Sequence, residues 1–159
     1  MRVNRNNCIL GLIVFVLLAL CVVSIYVPAR FDEQRKEREK AVIECLDAIR
    51  NAQENYKSRY GKYCDNLQIL VNERLLASTT QYIPYSGKQK FSLKTVVKKD
   101  KGGKDISLME CGATYTQYLK GLNRASISTL MEETVSNGIY PGLRIGDIEK
   151  NNNNAGNWE

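Results

Sequence analysis

Hydrophobic and polar positions divide this chain into an apolar block followed by periodic segments. Cys8 to Val27 is an uncharged run of twenty residues, CILGLIVFVLLALCVVSIYV. Pro28 follows, and then FDEQRKEREK (Phe31–Lys40), which is densely charged and helix-favouring. Its opposite charges sit three and four apart, as in Asp32–Lys36 and Glu33–Lys36, which supports a solvated helix. Beyond it, Val42, Cys45, Leu46, Ile49, Ala52 and Tyr56 recur at spacings of three and four, the mark of one apolar helix face. Gly61 supplies a C-cap, with Lys57 and Arg59 in the last turn.

A second, shorter helix is expected after Asp65 as N-cap, with Gln68 as its capping-box partner and Leu67, Leu70, Val71 and Leu75 on its apolar side. Pro84 and Gly87 break the chain. From Lys90 to Lys98 the pattern alternates, placing Phe91, Leu93, Thr95 and Val97 on one side of a half-buried strand. KKDKGGK turns it, and Asp105–Cys111 returns with Ile106 and Leu108 inward. Tyr115–Leu119 reads as a third strand, since Tyr and Thr favour sheets. Asn123 caps a last helix with Ile127, Leu130, Met131 and Val135 inside and Gly138 at its end. Residues 140–159, rich in Asn and Gly, are expected to wrap the surface or be partly disordered. This order implies an α+β class: a long amphipathic helix on a small antiparallel sheet, with two further short helices.

A hydrocarbon core of about 30 Å needs roughly 20 apolar residues as a helix, and Cys8–Val27 has that length. A signal-peptide core is shorter, about 7–15 residues, and ends at small residues, unlike Ser24-Ile25-Tyr26. Leu18-Ala19-Leu20-Cys21 approaches a lipoprotein box, but Leu20 is too bulky and the apolar run continues past Cys21. The expectation is an uncleaved transmembrane helix over 8–27. Around it lie a basic flank (1–7), a charged helical stalk (28–40), an α+β head (41–139) and the tail (140–159). Basic residues do not settle the topology. Arg2 and Arg5 precede the span, while Arg30, Arg35, Lys36, Arg38 and Lys40 follow it. Long domains translocate largely regardless of charge, and a short basic start before an apolar run has the shape of an export signal. The head is therefore expected in the periplasm, with the span in the inner membrane.

Charge adds one feature. The net charge is +6, and seven lysines fall within Lys88–Lys104. Lys94, Lys98, Lys99, Lys101 and Lys104 are the candidate residues for an anionic lipid or glycan. They serve equally as guards of a sheet edge. Nucleic acid is not expected, because only Phe91 is interleaved as a stacking group.

Five cysteines are present, two of them in the apolar run. Cys45 lies on the apolar stripe and is expected to be the buried thiol. Cys64 and Cys111 are then the candidate disulfide in an oxidising compartment, the alternative being three free thiols. There is no histidine and no C-x-x-C, which argues against zinc and against Ser-His-Asp or Cys-His catalysis. No P-loop or G-x-G-x-x-G occurs. Glu132-Glu133, Asp147/Glu149 and Cys64 are the remaining catalytic candidates, and their spacing fits solvated acids and an unactivated thiol better. The expectation is a non-enzymatic chain without cofactor or metal. Tyr56, Tyr60 and Tyr63 gather at the helix end, as packing residues with hydroxyls at the rim or as an interaction surface.

Asp47-Ala48-Ile49-Arg50-Asn51-Ala52-Gln53-Glu54-Asn55-Tyr56-Lys57, then Tyr60-Gly61-Lys62-Tyr63, Asp65-Asn66-Leu67 and Leu70, resemble type IV pilins and type II secretion pseudopilins. The resemblance covers about 30 residues. It implies a membrane helix running into the amphipathic helix of an α+β head. The chain departs from the family at its prepilin signal. Asn7-Cys8-Ile9-Leu10-Gly11 stands where a Gly and then Phe-Thr-Leu-x-Glu belong, and no glutamate lies in the span. What the resemblance implies is thus a fixed, pilin-like component without the prepilin peptidase site. The ending Tyr140-Pro141-Gly142-Leu143-Arg144-Ile145-Gly146 and Asn152–Glu159 is also similar to a group of single-pass envelope proteins of Gram-negative bacteria, a likeness that supplies no function. The expected role is structural or assembly work in the envelope through contacts of the head with other envelope proteins or with itself. The alternative is a binding module that uses the lysine-rich hairpin.

Overall fold

The structure, a computed structural model, describes residues 5–99 and 102–159; the side chains of Arg5–Cys8, Val23, Ile25 and Val27 are not among those described. The chain is α+β. Helix α1 (Arg5–Tyr60) is followed by α2 (Leu67–Asn72), strands β1 (Ser92–Lys99) and β2 (Asp105–Thr114), helices α3 (Tyr115–Tyr118) and α4 (Arg124–Ser136), and strand β3 (Gly142–Gly146). Two compact units divide it, one ending at Arg35 and the other running from Lys36 to Glu159.

In the first unit α1 passes through Pro28 without a break. Its large apolar side chains are exposed, from 47% at Val16 to 70% at Phe15. Among the described residues no helix is long and apolar enough to cross a membrane. The side chains described there without interruption run only from Ile9 to Val22, short of the roughly 20 residues a span needs. The expected span ends, Cys8 and Val27, lie outside the described side chains.

The second unit holds the core. Val42, Leu46, Ile49 and Ala52 are buried to 1% or less, as the 3.6-residue period of α1 requires. Each large aliphatic group so buried contributes about 1.5–3 kcal/mol. Cys45, expected among them, is only half-buried, and Gln53 takes a fully buried place instead. Gly61, at φ 75°, ends α1 with its N–H on the Lys57 carbonyl at 2.8 Å.

The sheet has the order β1-β2-β3 and both pairs are antiparallel. Leu93 pairs with Cys111 and Cys111 with Ile145, while Ala113 pairs with Leu143. Met109, Cys111, Ala113, Leu143 and Ile145 are buried on that one face and complete the core with the α1 stripe. The other face carries Lys94, Glu110 and Arg144, with Lys94 opposite Glu110 and Arg144 opposite Gly112.

Several expectations are corrected. The N-cap of α2 is Asn66, not Asp65; its side chain accepts from the Gln68 N–H at 2.9 Å. Val97 is exposed, because β1 is an edge strand. Tyr115–Leu119 is not a strand. The Gln117 side chain accepts from the Thr114 N–H at 2.8 Å, and this local closure starts a helical turn that overrides β propensity. Asn123 caps α4 as expected, accepting from the Ser126 N–H at 3.1 Å, but Val135 on its expected inner face is exposed.

The third strand lies in the segment expected to be a loose tail. β3 pairs with β2, and the chain then returns along the outer side of β3. Gly146 donates to Ala155 and Asn157 donates to Arg144, while the Asn157 side chain holds the Gly142 carbonyl and the Arg144 N–H. Gly146 sits at φ 71°, and a Cβ there would come within 2.2 Å of the Met109 carbonyl oxygen. Glycine is required for that close pairing. On α1, Arg38 donates to the carbonyls of Tyr118 and Lys120 at 3.0 and 2.9 Å, which satisfies the end of α3.

Candidate functional site

The lysine-rich hairpin is built as the alternation implied. Lys94 and Lys98 lie on the sheet face opposite the core, Lys99 sits opposite Asp105, and Lys104 precedes β2. All four are exposed. Lys101 lies outside the described residues. Lys94 approaches Glu110 at 4.0 Å, yet Glu110 is already held by Arg144 at 2.8 Å, so the face keeps surplus positive charge. Lys88 and Lys90 do not join this group. Lys90 stands over the Tyr82 ring at 5.8 Å, and Lys88 borders a 660 Å³ cavity shared with Cys45.

Beside β1 runs a groove of 360 Å³. Tyr56, Lys62 and Ile69 form one wall and Thr95, Val97 and Ser107 the other. The Tyr63 N–H donates to the Ser107 hydroxyl at 3.0 Å, which fixes the segment after α1 against β2. Tyr56 and Tyr60 stack with ring centroids 4.4 Å apart, and Tyr60 remains half exposed. Of the three clustered tyrosines, then, two border solvent and the third does not.

Tyr63 is buried in a polar knot that the sequence did not reveal. Its hydroxyl donates to Glu54 at 2.7 Å and accepts from Lys57 at 3.0 Å and from Asn154 at 2.6 Å. Burial first, and the Glu54 carboxylate after it, push its ionisation upward. Asn154 also donates to Glu54. Arg50 donates to Asp47 and Glu159, both at 2.7 Å, and to the Asn154 carbonyl at 3.3 Å. The bond from Arg50 holds the Glu159 carboxyl below its usual range. Gln53 completes the arrangement. It donates to the Cys64 carbonyl at 2.8 Å and accepts from the Cys64 N–H at 2.9 Å, standing in for a strand neighbour. No spacing rule foretells such bonds, since Arg50 and Asn154 lie 104 positions apart.

Cys64 and Cys111 are both free thiols, so the expected disulfide is not formed. Cys64 is buried and its Sγ donates to the Asn66 carbonyl at 3.2 Å. Cys111 is enclosed in the middle strand, where burial pushes its thiol up to about 12. A thiol there stays protonated and is a poor nucleophile. The acid pairs are separated from any shared chemistry. Asp147 accepts the N–H groups of Glu149 and Lys150 in a turn, and the first of these bonds holds its carboxyl below the usual range. Glu132 and Glu133 are exposed on α4. Among the described residues no group of three or more His, Cys, Asp or Glu is placed to hold a metal.

No protein-family model, no curated protein and no solved structure matches the chain.

Proposed function

We propose that this chain is a non-enzymatic, single-pass component of the bacterial inner membrane whose periplasmic head acts through contacts with other envelope proteins. One observation carries the proposal. The described large apolar side chains from Ile9 to Val22 are exposed on the same helix whose later turns carry the core stripe of the head. Exposed apolar surface of that extent on a soluble protein marks a membrane or protein interaction site, and the sequence continues it over Cys8–Val27 to the length of a span. Contact through the head is supported by the groove beside β1, with its exposed valine, Val97, and half-buried Tyr56. The pilin-like resemblance supports the same reading.

The test has two parts. Full-length chain should stay in the pellet after alkaline carbonate washing, and Leu17→Lys with Leu18→Lys should release it; release of the unaltered chain would sink the anchored reading. Photo-crosslinkers on the head in native membranes should give discrete adducts with envelope proteins. Uncrosslinked chain at every position, or turnover of a model ester or peptide by the purified chain, would sink the assembly reading. A thiol placed at exposed Ser136 reports the side of the membrane.

The exposed Lys94, Lys98, Lys99 and Lys104 favour a second reading, a binding module for anionic lipid or glycan. A salt-sensitive liposome or glycan pull-down, lost on replacing Lys98, Lys99 and Lys101, supports that reading. Retention after the replacement removes it.

A further inference from the structure

We infer that the outer edge of β1 receives an extended segment of a partner protein in which apolar and acidic residues alternate. This rests on the reading of the head as a protein-contact unit and names the partner's chemistry.

β1 is the first strand of the sheet and has β2 on one side only. Among the described residues, no backbone hydrogen bond joins Ser92–Lys99 to anything except β2. The other side is a row of unpaired N–H and C=O groups eight residues long. Such an edge is a template for an added strand. Strand addition also needs places for alternate side chains, and β1 has two different ones. On the core-side face, Val97 is 56% exposed and borders the 360 Å³ groove with Tyr56 and Ile69. On the opposite face, Lys94 and Lys98 stand exposed with Val96 between them, and together with Arg144 they outnumber the acids Glu110 and Asp147 beside them. An added strand has neighbours about 5 Å away on each face. Every second side chain would therefore meet Val97 and the groove, and the others would meet Lys94 and Lys98 at either side of Val96. Apolar side chains suit the first set and carboxylates the second. Lys62 and Asp65, both at the groove, offset each other and leave that side neutral.

The same lysines select against the competing occupant, a second copy of this chain. In the antiparallel register centred on Val96, Lys94 of one copy stands opposite Lys98 of the other on the same face. Like charges directly opposite are destabilising. In that register the edge is guarded against itself while staying open to an acidic strand.

The probe is a fluorescent nine-residue peptide alternating Val and Glu, titrated against the full chain in non-ionic detergent and followed by anisotropy. Saturable binding is expected, weakening with salt. Lys94→Glu with Lys98→Glu should weaken it about ten-fold, and Val97→Asp should weaken it comparably. A peptide with its four central amides N-methylated keeps its side chains but loses the donors, and should not bind. Unimpaired binding of that peptide, or equal binding of a scrambled sequence of the same charge, overturns the proposal in favour of plain electrostatic attraction. Concentration-dependent dimers that displace the peptide overturn it in favour of a second copy. Because these variants are at exposed positions, an unchanged melting temperature separates lost binding from lost fold. Absence of peptide binding by a chain that survives carbonate washing defeats the edge proposal alone. Carbonate release of a chain that binds peptide defeats the anchored reading alone.

Discussion

Gln53 shows how much one side chain can decide in this head. It is fully buried and serves both backbone groups of Cys64. Gln53→Ala would leave a buried N–H and a buried carbonyl without partners, so it should cost about 3 kcal/mol in urea unfolding. Gln53→Glu separates the two bonds. An ionised carboxylate accepts from the N–H but faces the carbonyl without a proton to give. Its folded-state ionisation is therefore raised, which makes the variant unstable at neutral pH. Stability returns as pH falls through the raised folded value, and pH-dependent melting measures it. A melting curve that ignored pH would contradict the carbonyl contact. Cys111 gives a complementary expectation. With its thiol pushed up to about 12 and no disulfide formed, it should resist maleimide in the native chain. Reductant should also leave the melting temperature unchanged, and mass spectrometry of the alkylated chain checks the labelling. Neither residue's role was legible in the sequence. Cys45 looked like the buried thiol because it shares the stripe, whereas the actual enclosure of Cys64 and Cys111 comes from elements far from them in sequence.

At the scale of elements, legibility followed locality. The second-unit part of α1, the cap at Gly61, the pairing of β1 with β2 and the Asn123 cap are set by neighbours within a few residues and were readable. The inward set of β2 was not: Ile106 and Leu108 fall on the face opposite Met109, Cys111 and Ala113. α3 was misread as a strand because one glutamine, Gln117, outweighs the sheet preference of Tyr and Thr around it. β3 was missed for the opposite reason. Between its terminal glycines only Leu143-Arg144-Ile145 alternates, too short a run to read as a strand, and the strand exists through pairing with β2 about 30 positions earlier. Gly146→Ala tests that pairing. The added methyl meets both a positive φ and the Met109 carbonyl oxygen. We expect a loss of at least 2 kcal/mol, roughly the scale of such strain, read as a lowered urea midpoint. The hairpin lysines were legible as a patch, but their division between two faces required the register.

Considered as a whole, the head closes on itself by laying its Asn-rich segment against α1. The only tryptophan, Trp158, belongs to that segment and reports its docking. Glu159, held below its usual range by Arg50, contributes stability that is present above the ordinary glutamate value near 4.3. That contribution is lost as pH falls through the lower, folded value. Trp158 fluorescence should therefore shift on acidification below about pH 4, before the far-ultraviolet circular dichroism changes. Glu159→Gln should abolish that early phase. A shift that survives in the variant would contradict the Arg50–Glu159 bond as the acid-sensitive contact. The same closure sets the order of assembly. Arg50 finds its acceptors 104 and 109 positions onward, and Glu54 finds its amide partner 100 positions onward. Contacts of such high order form late and slowly. A chain made from its N-terminal end presents the stripe of α1 before β3 and the Asn-rich segment are available to finish the head. During that interval the stripe is uncovered apolar surface, prone to association until the last segment docks.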